Sequence, residues 1–515
     1  MTGDKGRRVM ANPVAGPPNV VLILADDLGY GDLRRFWPAS KIPTPNLDAL
    51  VEEGMAFTDA HATSSICSPS RYSLLTGEYN WRSRLKDGIV GMWDEPMIED
   101  GQATIATTLR DGGYDTLCVG KWHLGWRWPT RSGRGVNETF IYGDTEYETN
   151  AKREEFGRTE ILFDRPITGG PIDRGFDEYF GVDVPNFPPY AWIEGDRIIG
   201  TPCEPKPDRL YGNEGLATPG WSHEAMLPMF TARAADFIRR HGPCGKSHGT
   251  PFFLYFPLTA PHSPVTPNRE FVGRSGLGSY GDLVCEIDDL VGQIRAALAQ
   301  NGLLENTIFV FTSDNGPEFA TLDDEGAFER ARRTGHYSMG DLRGVKHDAW
   351  EGGHRVPLLV SWPARIKGGT TCPHVVSLVD LMATVLDAAG VPCPAGAATD
   401  SISMLPLLTG ASDMPTREFS VQHSRVGVFV GRAGKWVLIE APIGATYPEP
   451  DWWKELRCYD DDDQPAQLFE LDRDISQRRN LYAQRPAEVE YLTGLLQQVR
   501  QARATGARFK NITDG

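Results

Sequence analysis

Short apolar runs, each closed by turn or acidic residues and followed by a helix-period pattern, recur along this chain and restrict it to one kind of fold. Residues 19–27, NVVLILADD, read as a strand buried on both faces that ends in two acids. Residues 44–54 read as an amphipathic helix with Thr44 as N-cap, Pro45 in its first position and Gly54 as its stop. Residues 104–123 read as helix, glycine stop and strand. A helix at 230–241 precedes the strand 251–258, and a long amphipathic helix at 283–302 precedes the strand 307–316. A strand at 356–363 and a helix at 377–390 continue the series. Such alternation requires an α/β domain: a mostly parallel sheet sandwiched by helices. After residue 411 the pattern changes to short alternating strands and a last helix at 486–503. The expected organisation is therefore an α/β domain over 1–411 and a smaller α+β domain with an antiparallel sheet over 412–515. Residues 125–225, rich in Gly, Pro, Trp and charge, read as insertions over the rim of the sheet.

The charge balance narrows the partners. With 52 Lys and Arg against 69 Asp and Glu the net charge is −17, a field that repels phosphate backbones and anionic lipid. Nucleic acid and membrane are excluded as partners, and an anionic substrate needs a local cluster of cations. The eight cysteines are scattered with no C-x-x-C pair, which fits neither a disulfide scaffold nor a zinc site. Residues 1–18 hold no apolar leader core, and the apolar runs at 20–25 and 251–258 fall far short of a membrane span. The expectation is a soluble cytoplasmic protein; a periplasmic or secreted chain whose leader had been removed would read the same way.

Ligands of open α/β sheets collect outside the carboxyl ends of the strands. Those ends carry Asp26 and Asp27, Lys121 and His123, His262, and Asp314 and Asn315. Each has an ordinary structural reading alone, as turn, cap or core residue; their coincidence at four strand ends points to a site. Three carboxylates and an amide oxygen suit a hard cation such as Ca²⁺ or Mg²⁺. In residues 65–77, SICSPSRYSLLTG, Ser68 as N-cap and Pro69 at the first position would start a helix just after Cys67. Arg71 follows one turn on, so the segment combines an anion site with a nucleophile beside it.

Residues 65–77 resemble, over their whole length, the active-site signature of the formylglycine-dependent sulfatases, and GYDTLCVGKWH at 113–123 resembles that family's second signature. ADDLGYGD (25–32), APHSP (260–264), FTSDNG (311–316), KHDAWEGGHRVP (346–357) and ELDRDISQRRNL (470–481) fit the family in the same order. The resemblance implies an alkaline-phosphatase-like fold and hydrolysis of aryl or carbohydrate sulfate monoesters, small-molecule substrates, to alcohol and inorganic sulfate. It implies that a separate maturation enzyme, the formylglycine-generating enzyme, oxidises Cys67 to Cα-formylglycine, whose hydrate is the nucleophile. Asp26, Asp27, Asp314 and Asn315, with the side chain at 67, would hold one divalent cation, Ca²⁺ in most members, with Mg²⁺ or Mn²⁺ as alternatives. Asp314 would accept the attacking hydroxyl's proton, and Arg71, Lys121 and Lys346 would surround the sulfate with positive charge. His262 would protonate the leaving oxygen with Lys346 assisting, and His123 would hold the second hydroxyl of the hydrate. Lys121, His262, Lys346 and His347 form the implied substrate contacts. Two other readings stay open: a phosphonate monoester or phosphodiester hydrolase on the same site, and a non-catalytic anion-binding protein with unmodified Cys67. His354 and Arg355 read mainly as scaffold, His223 and His336 have no assigned role, and the polar loop 319–342 is a candidate for specificity or for a subunit contact. Trp122, Trp126, Trp128 and Trp192 are open between a sugar or aryl subsite and buried anchoring. Oligomeric state, including a homo-oligomer, is open.

Overall fold

The structure, a computed structural model, describes residues 16–139, 146–208, 210–319, 326–459 and 463–502. Residues 1–15, where a leader was sought, and 320–325 of the polar loop lie outside these. Among the described residues no helix is long and apolar enough to cross a membrane.

Ten strands form the central sheet: β1 (Asn19–Asp26), β2 (Met55–Phe57), β3 (Asp115–Lys121), β4 (Glu178–Val182), β5 (Ile193–Glu194), β6 (Arg197–Ile198), β7 (Phe252–Pro261), β8 (Thr307–Ser313), β9 (Leu358–Ser361) and β10 (Thr370–Cys372). They lie side by side in the order β10-β2-β9-β8-β1-β7-β3-β4-β5-β6. β1 runs parallel to β7 and β8, β7 to β3, and β3 to β4. β9 is antiparallel to both its neighbours, and β5 and β6 extend the far edge as a small antiparallel meander. Helices α1 (Pro45–Glu53), α2 (Cys67–Thr76), α3 (Ile105–Asp111), α4 (Met226–His241), α5 (Ser279–Gln300), α6 (Ala327–Thr334) and α7 (Leu381–Ala389) connect the strands. All eight residues of β1 are buried, and their alternation divides two cores. Val20, Leu22 and Leu24 face the core shared with α2, α3 and α7; Val21, Ile23 and Ala25 face the one shared with α1, α4 and α5. This is the sandwiched, mostly parallel sheet expected from the strand–helix alternation.

Two local readings change. Strand β4 lies inside the stretch taken as rim insertions. Its sequence, EYFGV, is too short to show a period, and Gly181 is there because a Cβ would meet the Gly120 carbonyl oxygen at 1.9 Å. At α1, Pro45 and Gly54 sit as expected, but Thr44 makes no side-chain cap and its buried hydroxyl has no partner. The cap comes from a different helix: Asp288 of α5 accepts the N–H groups of Asn46 and Leu47 at 3.2 and 2.8 Å.

The antiparallel set expected after residue 411 is a four-stranded sheet of β11 (Phe419–His423), β12 (Phe429–Ala433), β13 (Trp436–Ile439) and β14 (Gln467–Glu470). One face packs on α8 (Pro486–Gln501) through Val421, Leu438, Leu468 and Leu496. The other face, with Val430, Val437, Ile439 and Phe469, closes over Trp350. The small sheet thus braces the segment that follows Lys346 and His347.

The borrowed cap is testable. Asp288→Ala should lower stability by about 1–2 kcal/mol, the range for losing a helix N-cap, while Thr44→Ala should cost under about 0.5 kcal/mol. Chemical denaturation showing the reverse order would place the cap back on Thr44.

Candidate active site

Strands β8, β1, β7 and β3 are consecutive neighbours and mutually parallel, so their carboxyl ends open along one edge. Asp26 closes β1 and Asp27 follows it; Asp314 and Asn315 follow β8; His262 follows β7; Lys121 closes β3 and the chain turns into His123. The residues singled out at four strand ends therefore meet in one place. Three of them are held in left-handed backbone: Asp27, His123 and His347 have φ of 69°, 55° and 82°. Each such conformation costs a non-glycine residue about 1–2 kcal/mol. A hydrogen bond from each strained residue's own N–H offsets that: Asp27 to Asp314 Oδ1 at 3.2 Å, His123 to Asp183 Oδ1 at 3.2 Å, and His347 to the Ser65 carbonyl at 2.8 Å.

Helix α2 starts at Cys67, two residues earlier than a Ser68 cap would place it, and all ten of its residues are buried. The Ser68 hydroxyl instead accepts the Val90 N–H at 3.2 Å and ties down the neighbouring loop. Cys67 Sγ lies 3.7 Å from Asp26 Oδ1, at the positive end of the helix. Arg71, one turn on, grips Asp314 Oδ2 through Nε and Nη2 at 2.9 and 2.7 Å and reaches Asp26 at 3.3 Å. Lys121 Nζ holds Asp26 at 2.8 Å, and Lys346 Nζ bridges Asp27 at 2.7 Å and Glu318 at 2.9 Å. Cys67, His123, His262, Lys346 and His347 line a cavity of about 900 Å³, whereas Arg71 and Lys121 lie beneath its floor. Those two cations are paired with the carboxylates of Asp314 and Asp26.

Burial sets the proton inventory. Burial, then the adjacent carboxylates, push Asp27 and Asp314 each up to about 7 against the pull of Lys346 and Arg71. Asp26 stays well below the usual carboxylate range, because Lys121 and Arg71 outweigh its burial. Burial also pushes the Cys67 thiol far up, so it keeps its proton at neutral pH. Burial together with Lys346 and Lys121 pushes His262 down to about 3, and burial with Lys121 and Arg71 holds His123 well below the ordinary histidine range. Both rings are neutral in the free site. Nδ1 of His262 donates to the Ser263 carbonyl at 2.5 Å, leaving Nε2 toward Asp27 at 3.8 Å. Nε2 of His123 donates to the Val90 carbonyl at 3.1 Å, and its buried Nδ1 has no partner.

The donor set fits a hard divalent cation. Ligand atoms of Asp26, Asp27, Asp314 and Cys67 lie within 4.8 Å of one another, and the buried Asn315 Oδ1 has no hydrogen-bond partner. Asn315 Nδ2 donates to Asp27 Oδ1 at 2.7 Å, which orients that orphaned oxygen as a ligand. A second cluster, His61, Glu351 and His354, is already saturated: the two rings meet at 3.1 Å, His61 holds Asp59 at 2.8 Å, and Arg432 and Arg355 reach Glu351 at 3.5 and 3.1 Å. His354 and Arg355 are scaffold, as read. His336 is spent on Asp32 at 2.8 Å and His223 on the Pro185 carbonyl at 2.8 Å. Trp122, Trp126 and Trp128 are buried anchors, and Trp192 stacks on Phe180; none lines the cavity.

Sequence reading missed two residues. Glu318 shares Lys346 with Asp27, and its place two residues past S-D-N-G was the available signal. Asp183 holds the His123 N–H and the Trp126 indole, but it follows the unreadable strand β4 and carried no signal.

A sulfatase family model matches residues 18–391. The chain is 34% identical over 498 residues to an N-acetylgalactosamine-6-O-sulfatase of Bacteroides thetaiotaomicron, covering 94% of this chain and 93% of that one. It is 31% identical over 489 residues to human arylsulfatase A, covering 91% and 84%. A solved structure from work on glycosaminoglycan metabolism by Bacteroides thetaiotaomicron superposes with a TM-score of 0.77 at 31% identity, covering 95% of this chain and 100% of that one. With a family match over most of its length and relatives above 30% identity, the chain belongs to the sulfatase family and hydrolyses sulfate esters.

Proposed function

We infer that this sulfatase acts on a carbohydrate sulfate, with Cys67 matured to Cα-formylglycine by a separate enzyme and one divalent cation beside it. The observation that carries the reading is the state of Cys67. It stands at the first position of a buried helix, 3.7 Å from Asp26, as a thiol that burial keeps protonated. A protonated thiol is a poor nucleophile, whereas the hydrated aldehyde offers an oxygen at the same point. Asp26, Asp27, Asp314 and Asn315 Oδ1 are the atoms that would hold the cation; the all-oxygen protein donors favour Ca²⁺ over thiolate-seeking metals, with Mg²⁺ or Mn²⁺ as alternatives. Once bound, the ion would supply Lewis acidity toward the sulfate oxygens.

The chain's own groups divide the remaining work. Lys346 faces the cavity and adds positive charge where the sulfate's negative charge develops, while Lys121 and Arg71 fix the carboxylates below. Asp314 serves as acceptor for the attacking proton. His262 Nε2 faces the cavity; an anionic ester beside it opposes the depression that burial imposes, so it can carry the proton needed by the leaving oxygen. His123 Nδ1 keeps a free lone pair for a hydroxyl proton at position 67. The polar side of the cavity wall, with Asn150, Glu154, Asn186 and Asn213, supports the sugar reading. One relative, 34% identical over 94% of this chain, is an N-acetylgalactosamine-6-O-sulfatase, which makes that 6-O-sulfate the first substrate to assay.

Cation dependence follows from the carboxylate cluster. Asp314→Ala or Asp26→Ala should lose both the bound ion and turnover by a factor of about 10³ or more. Elemental analysis of active protein showing no Ca²⁺, Mg²⁺ or Mn²⁺ contradicts the assignment. Leaving-group dependence tests His262 and the substrate class together. Wild type should prefer 6-sulfated N-acetylgalactosamine to an activated aryl sulfate in kcat/KM. His262→Ala should cost about 10²-fold or more on the sugar and far less on the aryl ester, whose phenolate leaves unaided. Equal losses on both would remove His262 from beside the leaving oxygen.

A further inference from the structure

Away from the catalytic cavity, a second groove of about 840 Å³ is lined by four arginines, Arg473, Arg478, Arg479 and Arg485, together with Asp341, Glu470 and Asp474. Two of its acids are engaged: Asp474 accepts the backbone N–H groups of Arg478 and Arg479 at 2.8 and 2.9 Å, and Glu470 holds Lys435 Nζ at 2.6 Å. Asp341 makes only a long contact, 3.7 Å to Arg457. The arginines are held no more closely. All four are exposed; Arg473 and Arg485 make only long contacts, 3.7 Å to Glu470 and 4.0 Å to Glu488, and Arg485 lies at 5.9 Å over the Trp436 ring. Arg479 donates to the neutral Gln484 amide oxygen at 3.1 Å, and the Arg478 guanidinium has no hydrogen bond or ion pair among the described residues. In a chain of net charge −17, four available guanidinium groups in one groove oppose the global field.

We propose that this groove binds a linear polyanionic saccharide carrying repeated sulfate or carboxylate groups, the polymer whose sulfate esters the catalytic cavity cleaves. The substrate half of this statement rests on the function inferred above; the groove's affinity for the polymer does not. Every lining cation is arginine, whose planar fork pairs bidentately with sulfate and carboxylate. One small anion would leave most of the four unpaired, whereas repeated anions on one chain engage them together. The groove is also built onto the active-site framework. The Ser476 hydroxyl donates to the Asp341 carbonyl at 2.7 Å, the Gln477 carbonyl accepts from Arg343 at 3.2 Å, and the Gln477 side chain accepts the Glu351 N–H at 2.8 Å. Residues 341–351 include Lys346 and His347, so a polymer seated here is held against the segment that carries them.

The test uses the full chain and two probes, chondroitin 6-sulfate chains and the 6-sulfated N-acetylgalactosamine monosaccharide. Arg478→Ser combined with Arg479→Ser removes two exposed side chains and keeps the backbone bonds to Asp474. The polymer's Kd should rise about tenfold and its salt dependence should weaken, while monosaccharide kcat/KM stays at the wild-type value. Polymer binding is measured directly, so it reports on the groove even in a protein that fails to desulfate this sugar. Unchanged polymer affinity in the double variant overturns the proposal. So does duplex DNA that binds as tightly as the polymer and loses affinity equally, because that would show charge density alone.

Discussion

Three carboxylates buried at the ends of two adjacent strands set the terms for the rest of this molecule. Asp26, Asp27 and Asp314 are fully buried, and an uncompensated buried charge costs several kcal/mol. Their compensation comes from elements far apart in sequence: Arg71 from α2, Lys121 from the end of β3 and Lys346 from a loop after α6. Each of these cations must arrive at its carboxylate for the site to be stable, so the site and the sheet order are one problem. Helix α2 is wholly buried because its Arg71 has to reach Asp314, and that same placement sets Cys67 beside Asp26. The acidic chain therefore brings three cations from distant elements to one buried carboxylate cluster.

The small antiparallel sheet takes part in this. Trp350 is enclosed by residues of that sheet and its indole donates to Gln467 at 2.9 Å. Just before it, the His347 carbonyl accepts the Arg425 N–H at 3.2 Å and the Thr446 hydroxyl at 2.7 Å, and Asp348 accepts the Thr446 N–H at 2.8 Å. Those bonds maintain His347 in its left-handed conformation at the cavity wall. Residues C-terminal to the α/β sheet thus position part of the cavity wall, and the arginine groove grows from the same junction.

Sequence showed most of the site because its chemistry sits where periodic strands end. β1, β7 and β8 are long buried runs, and the polar residues that stop them are the ones that meet in the candidate site. Motif resemblance then supplied roles that periodicity could not. What stayed hidden depends on partners distant in sequence. Nothing near Thr44 reveals that Asp288 caps its helix, and nothing around Asp183 announces that it supports His123. β4 was lost because it is five residues long and Gly181, required by close approach to the Gly120 carbonyl, interrupts its apolar run. The burial of Arg71 and Lys121 beneath the cavity was likewise unreadable, since a strand-end lysine looks the same whether it meets substrate or carboxylate.

The central claim is that catalysis depends on converting the buried, protonated Cys67 thiol into an oxygen nucleophile. Mass measurement of the proteolytic peptide containing Cys67, taken from preparations of differing specific activity, tests it directly. Conversion exchanges one sulfur and two hydrogens for one oxygen, and the converted fraction should rise in proportion to turnover. Fully active protein in which Cys67 remains entirely a thiol would contradict the account.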